Sequence, residues 1–157
     1  MKVATQNLEM TAVLKEAPDH HDADLVIKLY DLRREPVMRE SLNAMNAKFW
    51  PRSADEATAI LANDHPLNTA FRQTTAYWEM VYGMARHGII HPDFLVENNT
   101  EGLFLFARIE PYLAAIRQAA SPRAFRNTEW VVAHSGSAQT LMETYRARIK
   151  RALETRS

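Results

Sequence analysis

The chain of 157 residues contains no cysteine. This absence excludes disulfide bonds, a thiolate nucleophile and every zinc or iron–sulfur site that depends on cysteine ligands. A metal ion would need ligands from His, Asp and Glu alone. The sequence implies no cofactor.

Glycine is scarce, with four residues at Gly83, Gly88, Gly102 and Gly136. Loops that cradle phosphate groups need several glycines within a few residues, so this spacing excludes nucleotide binding of that kind. Low-complexity tracts are also missing, and the length fits one domain. We expect residues 1–18 to form an N-terminal arm or a short helix, and residues 19–157 to form a single helical domain.

Neither sign of charge predominates, because 19 basic residues balance 19 acidic ones. No overall field therefore attracts the chain to nucleic acid or to an anionic membrane. The C-terminal segment is locally basic, with Arg146, Arg148, Lys150, Arg151 and Arg156, but it lacks a recognition-helix arrangement. We interpret it as a solvated face, which makes nucleic acid a disfavoured partner.

Long hydrophobic runs are missing as well. None approaches the roughly 20 residues that cross a bilayer, and the opening MKVATQNLEM lacks the apolar centre of a signal peptide. These two features predict a cytoplasmic protein without a membrane partner.

What the sequence does have is apolar residues at helical spacing along most of its length. Met38, Leu42, Met45 and Phe49 form one such stripe, in a helix expected to begin at Pro36 and to end before Pro51. The same pattern, with start and stop signals, predicts helices over 24–34, 53–63, 71–86, from Asn99 or Thr100 to about 116, 121–132 and 137–153. In the first of these, Leu25, Leu29 and Leu32 are expected to lie on one side.

Local signals refine these helices. Ser53 lies three residues before Glu56, which predicts a capping box, and Gly88 is expected to end the helix before it. Pro111 should kink or restart its helix, because proline removes a backbone hydrogen bond and clashes with the preceding turn. Residues 130–132 are β-branched and aromatic enough that a short strand is the alternative there. The predicted fold is all-α, an irregular bundle of five to seven helices with one kinked near Pro111.

His87 and His91 are four residues apart, a spacing that puts two imidazoles on one face of a helix for a metal ion. Asp93 and Glu97 could add oxygen ligands. Gly88 and Pro92 argue against a continuous helix, so the two histidines are expected to flank a turn. Pro92 is expected to begin a short helix, with Asp93 in its first turn, where the helix dipole favours a carboxylate.

Glu79 follows Trp78 near the edge of an apolar stripe. A carboxylate at such a position is either solvated or held by a partner, for which Arg72, Arg108 and Arg117 are candidates. If the helices leave a pocket here, its lining is expected to come from Trp78, Glu79, Tyr82, Phe106 and Tyr112, with Glu79 or His87 as the polar group.

Two further clusters favour helix capping over chemistry. His20, His21, Asp22 and Asp24 are dense in ligand-type side chains, but they precede an apolar helix, where a solvated N-terminal cap belongs. The segment HSGSAQ, residues 134–139, lacks the strand-to-helix elbow of a nucleophilic serine, and Ser135 or Ser137 is well placed to cap the last helix.

Three segments together resemble a family of small bacterial all-helical proteins known only as a domain of unknown function. They are LYDLRREPVMRESL, the YWEM helix followed by ARHGIIHPDFL, and FLFARIEPYLAAIR. The resemblance covers residues 22–153 and implies an all-α fold with no assigned activity or site residue. Members often resemble chains with a membrane helix ahead of the domain, and this sequence departs from that pattern.

The leading functional hypothesis is a non-catalytic helical domain that acts through protein association, including self-association. Wide apolar stripes support it, with the additional apolar residues Trp50, Leu103, Phe104 and Trp130 as candidates for an interface. The alternative is a protein that binds a small molecule or a metal ion in a pocket near Trp78, Glu79 and His87.

Overall fold

The computed structural model describes residues 15–156, and within them it contains nine α-helices, one 3₁₀ turn and no β-strand. The all-α class is confirmed, whereas the expected five to seven helices were too few. The helices are α1 (His20–Arg33), α2 (Pro36–Lys48), α3 (Ala54–Ala59), α4 (Asn68–Arg86), α5 (Pro92–Asn98), α6 (Glu101–Ile109), α7 (Leu113–Ala119), α8 (Arg126–His134) and α9 (Gly136–Thr155).

The break at Pro111 accounts for part of the larger number of helices. A 3₁₀ turn over Glu110–Tyr112 separates α6 from α7, so the predicted kink is a restart of the helix. The six-residue α3 and the seven-residue α5 complete fewer than two turns each. Both begin where local signals predicted, α3 after Ser53 and α5 at Pro92.

Helix α4 is the centre of the core. Its buried side chains include Tyr77, Trp78, Val81 and Tyr82, and it packs against α2 on one side and α8 on another. Helix α6 packs on α9 and also touches α4, where Gly102 lies against the Trp78 and Tyr82 rings. The apolar core extends from Val26 in α1 to Ile149 in α9.

Gly88 ends α4 as predicted. Its φ of 72° is in the left-handed region, which glycine adopts without steric cost. The Gly88 N–H donates to Ala85 O at 3.0 Å and the Ile89 N–H to Met84 O at 2.8 Å. These two bonds form a Schellman motif, which satisfies carbonyls that the last turn leaves free.

Several helix starts differ from the prediction. Ser53 accepts from the Glu56 N–H as expected, but the Glu56 carboxylate reaches back to the Arg52 N–H, one residue earlier than in a capping box. Neither the Asn99 nor the Thr100 side chain caps α6. The Asn99 side chain is buried and hydrogen-bonded to Arg33 and to Leu95 O instead. Helix α8 begins at Arg126, five residues later than expected. It includes residues 130–132, so the alternative prediction of a short strand there was wrong.

In α1 the buried stripe is Asp22, Val26 and Leu29, while Leu32 is exposed. The predicted apolar side of α1 is therefore only partly buried, because Leu25 is half-buried and Leu32 is exposed. Most of the predicted N-terminal arm, residues 1–14, lies outside the described part of the chain. Among residues 15–156, no helix is both long and apolar enough to span a bilayer.

Candidate functional site

The Glu79 carboxylate, on α4, is held at the N-terminus of α8. It accepts hydrogen bonds from the Asn127 N–H at 3.0 Å, the Thr128 N–H at 2.9 Å and the Thr128 hydroxyl at 2.6 Å. The first turn of a helix has free N–H groups that are usually capped by the preceding side chain. Here that residue is Phe125, which has no acceptor, so a carboxylate from another helix does the capping.

Glu79 therefore has a partner, but not one of the predicted arginines. Arg117 donates to Ala124 O and pairs with Glu129, and Arg108 lies at the end of α2. The Arg72 side chain is exposed. The partial positive charge of the α8 N-terminus takes the place of a cationic side chain.

Two aspartates act in the same way at other helices. Asp22, on α1, is fully buried and accepts from the Lys15 ammonium and from the His91 N–H at 3.0 Å, just ahead of α5. The expectation that this cluster is a solvated cap was wrong for Asp22, although Asp19 does cap α1. Asp93, on α5, accepts from the Ser135 hydroxyl at 2.5 Å and the Ser137 N–H at 3.3 Å, at the start of α9.

The hydrogen bond from Ser135 is the main cause of a lowered pKa at Asp93, and the Ser137 N–H adds to it. Both donors favour the charged carboxylate. Ser135 also caps α9 directly by accepting from the Ala138 N–H at 3.1 Å, as predicted. Because the Ser135 hydroxyl donates to Asp93 and the His134 ring bonds to Trp130 O, this segment does not form a nucleophile–base pair.

Arginines occupy the opposite helix ends. The buried Arg108 guanidinium donates to Met45 O and Phe49 O, both at 2.7 Å, and to Asn46 Oδ1 at 2.9 Å, at the C-terminus of α2. Burial lowers the pKa of Arg108 to about 9, and the nearby charge of Arg156 contributes. Arg52 donates to Leu153 O at the end of α9. Cations at these ends complement the helix dipoles.

Of the five residues predicted to line a pocket, the structure buries three in the core and leaves Glu79 and Tyr112 half-buried. Trp78 and Tyr82 stack with ring centroids 5.7 Å apart, and both are buried with Phe106 in the core. The Tyr82 hydroxyl donates to Asn99 O at 2.7 Å, and burial raises its pKa. Tyr112 borders a separate space of about 30 Å³ beside Arg108, which fits about one water molecule.

The two histidines flank a turn, as predicted. His87 is exposed at the end of α4, whereas His91 precedes α5 and its Nδ1 accepts from the Phe94 N–H at 3.3 Å. Within the described part of the chain, no three His, Asp or Glu side chains are grouped so that they could hold a metal ion. The structure gives no support to a metal at His87 and His91.

Glu79 also lines an open cleft of about 310 Å³. It is bounded by α4, α7 and the loop that leads to α8, and we call it the α4–α7 cleft. Phe71, Ile116 and Phe125 form its buried walls, and Arg72 and Arg123 stand exposed at its edge. Sequence reasoning missed this site because its lining comes from segments about 50 residues apart and shows no motif.

With this geometry established, the comparison with protein families is informative. The family model for a domain of unknown function, DUF4760, matches residues 18–135, about three quarters of the chain. The chain belongs to the DUF4760 family. The resemblance noted from the three segments is thereby confirmed. No curated protein and no solved structure matches the chain.

The DUF4760 match ends at Ser135, so the basic helix α9 lies beyond it. Several of the basic side chains in this region have partners within the chain. Arg146 forms a two-bond pair with Glu110, at 2.6 and 2.9 Å. Arg148 lies over the Phe104 ring at 4.8 Å and Arg156 over the Trp50 ring at 4.2 Å.

Proposed function

We propose that this DUF4760 protein is a non-catalytic helical protein that associates with a second copy of itself through the α1–α2 hairpin. One observation carries the proposal. Among residues 15–156, six large apolar side chains are exposed, and four of them lie within eleven residues of the hairpin. We call these four the hairpin surface: Ile27 is 64% exposed, Tyr30 50%, Leu32 53% and Val37 49%.

The position of α1 favours this surface over others. At 100° per residue, Ile27 and Tyr30 lie on one flank of the buried stripe and Leu32 on the other. Within residues 15–156, helix α1 packs against α2 and α5, and the side turned away from them carries the exposed apolar side chains. Contiguous exposed apolar patches are typical of interfaces with other proteins, so we infer that the partner covers both flanks of α1. The interface residues expected from the sequence differ, since Leu103 is buried and Trp50, Phe104 and Trp130 are partly covered.

Charge complementarity favours a second copy as the partner. Between residues 27 and 40 the chain carries exposed charges of both signs, in the basic residues Lys28, Arg34 and Arg39 and the acidic residues Asp31, Glu35 and Glu40. A two-fold interface places one patch against itself, so a patch with both signs can pair with its own copy. The formal net charge of zero adds no long-range repulsion between copies.

The hydrogen bonds made by the buried and half-buried charged side chains support the non-catalytic part of the proposal. Asp22, Glu79 and Asp93 are occupied at helix N-termini, and Arg108 is occupied at a helix C-terminus. A catalytic group must instead be free to reach a substrate. We further propose a cytoplasmic location, which the lack of cysteine supports.

Light scattering on the full chain tests the proposal. We expect a dimer mass for the wild type, and a monomer mass for Ile27→Glu and for Leu32→Glu, because each places a charge in an apolar interface. Met80→Glu is the matched control, since Met80 is an exposed apolar residue on α4 and should leave the dimer intact. A wild type that stays monomeric at about 1 mM, where an association worth about 4 kcal/mol would half-populate the bound state, would refute the proposal.

A further inference from the structure

The α4–α7 cleft has the size and lining of a site for a small molecule. Its volume of about 310 Å³ is at the lower end of the range for ligand pockets. Three of its lining residues, Phe71, Ile116 and Phe125, are buried large apolar side chains, and small alanines at 76, 120 and 124 keep it open. A volume near 30 Å³ for each non-hydrogen atom allows a ligand of roughly ten such atoms.

Two arginines at the cleft form no ion pair within the part of the chain that the structure describes. Arg72 and Arg123 are both exposed, and none of the salt bridges found among residues 15–156 includes either of them. The one carboxylate that lines the cleft, Glu79, has both oxygens bonded to the start of α8. The charge at the edge of the cleft is therefore positive, and it is available to an anion.

The wall formed by Phe125 is rigid. Phe125 has a φ of 59°, in the left-handed region that a bulky residue rarely adopts. Its ring is fixed between Phe71 and Phe106, at centroid distances of 6.3 and 6.0 Å, and Arg117 Nε holds the preceding Ala124 carbonyl at 3.0 Å. Strain of this kind persists only where the surroundings determine it, and it is often found at binding sites. A fixed wall lowers the ordering cost of binding.

We propose that the α4–α7 cleft binds a small apolar carboxylate, with its hydrocarbon part against Phe71, Ile116 and Phe125 and its carboxylate on Arg72 and Arg123. The arginines give charge-assisted, two-pronged hydrogen bonds to a carboxylate, which an alcohol of the same length cannot match. The cleft shares no residue with the hairpin surface, so this proposal stands independently of self-association.

Titration calorimetry with octanoate, octanol and acetate tests the ligand class, since octanoate has about the number of atoms that the cleft admits. We expect octanoate to bind about tenfold or more tightly than octanol, as the loss of a charge-assisted hydrogen bond implies, and acetate not to bind measurably. Equal affinity for octanoate and octanol would overturn the role of the arginines. No binding of octanoate would overturn the proposal.

Variants locate the site. Arg72→Gln combined with Arg123→Gln should abolish the preference for octanoate over octanol, whereas the control Arg151→Gln, an exposed arginine on α9, should retain it. Ala76→Phe fills the cleft and should remove binding of both ligands. Amide chemical shifts keep the result interpretable if Ala76→Phe fails to fold, because octanoate should perturb residues 71–79 and 116–125 of the wild type. Perturbations confined to other residues would refute the site.

Discussion

At the scale of single residues, the side chains that look chemically capable in the sequence are the ones that join helices. Glu79 is the clearest case, because it stands next to a core tryptophan and yet bonds to the backbone of α8. Phe125, the residue ahead of α8, has a left-handed backbone and no acceptor. The start of α8 therefore depends on a residue 48 positions earlier in the chain.

Replacement of Glu79 by alanine should destabilise the fold by about 1–3 kcal/mol. The Asn127 and Thr128 N–H groups and the buried Thr128 hydroxyl would lose their acceptor, at the cost of an uncapped helix and an unsatisfied buried group. Glu79→Gln retains one carbonyl acceptor, so it should lower the unfolding free energy by less than Glu79→Ala does. Urea unfolding measures both.

Glu143→Ala is the control for Glu79, because Glu143 is exposed on α9 and should change the unfolding free energy by no more than about 0.5 kcal/mol. If Glu79→Ala is as mild as this control, the carboxylate does not cap α8.

At the scale of elements, charged side chains complement the dipoles of helices to which they do not belong. Carboxylates from α1, α4 and α5 lie at the starts of α5, α8 and α9, and the Arg108 guanidinium from α6 lies at the end of α2. Each contact fixes the end of one helix against the body of another. These contacts order short helices such as α5, which could not be stable alone.

Asp93 makes the start of α9 sensitive to acid. Its lowered pKa means that the folded state keeps this carboxylate charged to a lower pH than the unfolded chain does. The stabilisation is complete above the ordinary pKa of 3.8 and disappears as the pH falls through the folded value. The unfolding free energies of wild type and Asp93→Asn, measured from pH 6 downwards, should therefore converge below about pH 4. A difference that stays constant with pH would contradict this role.

Contact between α6 and α4 depends on Gly102. A Cβ placed there would lie 2.5 Å from Trp78 Cδ2 and 2.6 Å from the Tyr82 hydroxyl, both in the packed core. Gly102→Ala should therefore cost about 1–3 kcal/mol through overpacking, despite the better helix propensity of alanine.

Gly136 is the matched control for Gly102, since it is also helical but has no atom within 4 Å of a built Cβ. Gly136→Ala should be neutral or stabilising by up to about 1 kcal/mol in thermal or urea unfolding. Equal effects of the two substitutions would mean that α6 does not pack closely on α4.

The sequence predicted what is local and missed what is not. Apolar periodicity predicted α2 and α4. Local signals predicted the end of α4 at Gly88, the start of α3 at Ser53 and the start of α9 at Ser135. The hydrogen bond from the His91 N–H to Asp22 joins residues 69 positions apart, so no periodic pattern in the sequence predicts it. The sequence around Phe125 does not indicate a left-handed backbone conformation at that residue. The late start of α8 and the α4–α7 cleft therefore could not be predicted.

At the scale of the whole molecule, several buried polar side chains join helices, and exposed apolar side chains are concentrated on the α1–α2 hairpin within residues 15–156. The helices around α4 are tied together by the contacts described above, whereas α1 and α2 carry the hairpin surface outward. A surface with four exposed apolar side chains and charges of both signs suits a second copy. We propose that two copies associate through this hairpin.

The distance between two copies of α1 tests that claim most directly. Because the chain has no cysteine, Asp24→Cys on α1 or Lys150→Cys on α9 accepts a single spin label at an exposed site. Electron double resonance should find a defined distance between α1 labels that is shorter than the distance between α9 labels, and Ile27→Glu should abolish both signals. The absence of dipolar coupling between α1 labels, or α9 labels that lie closer together than α1 labels, would contradict the account.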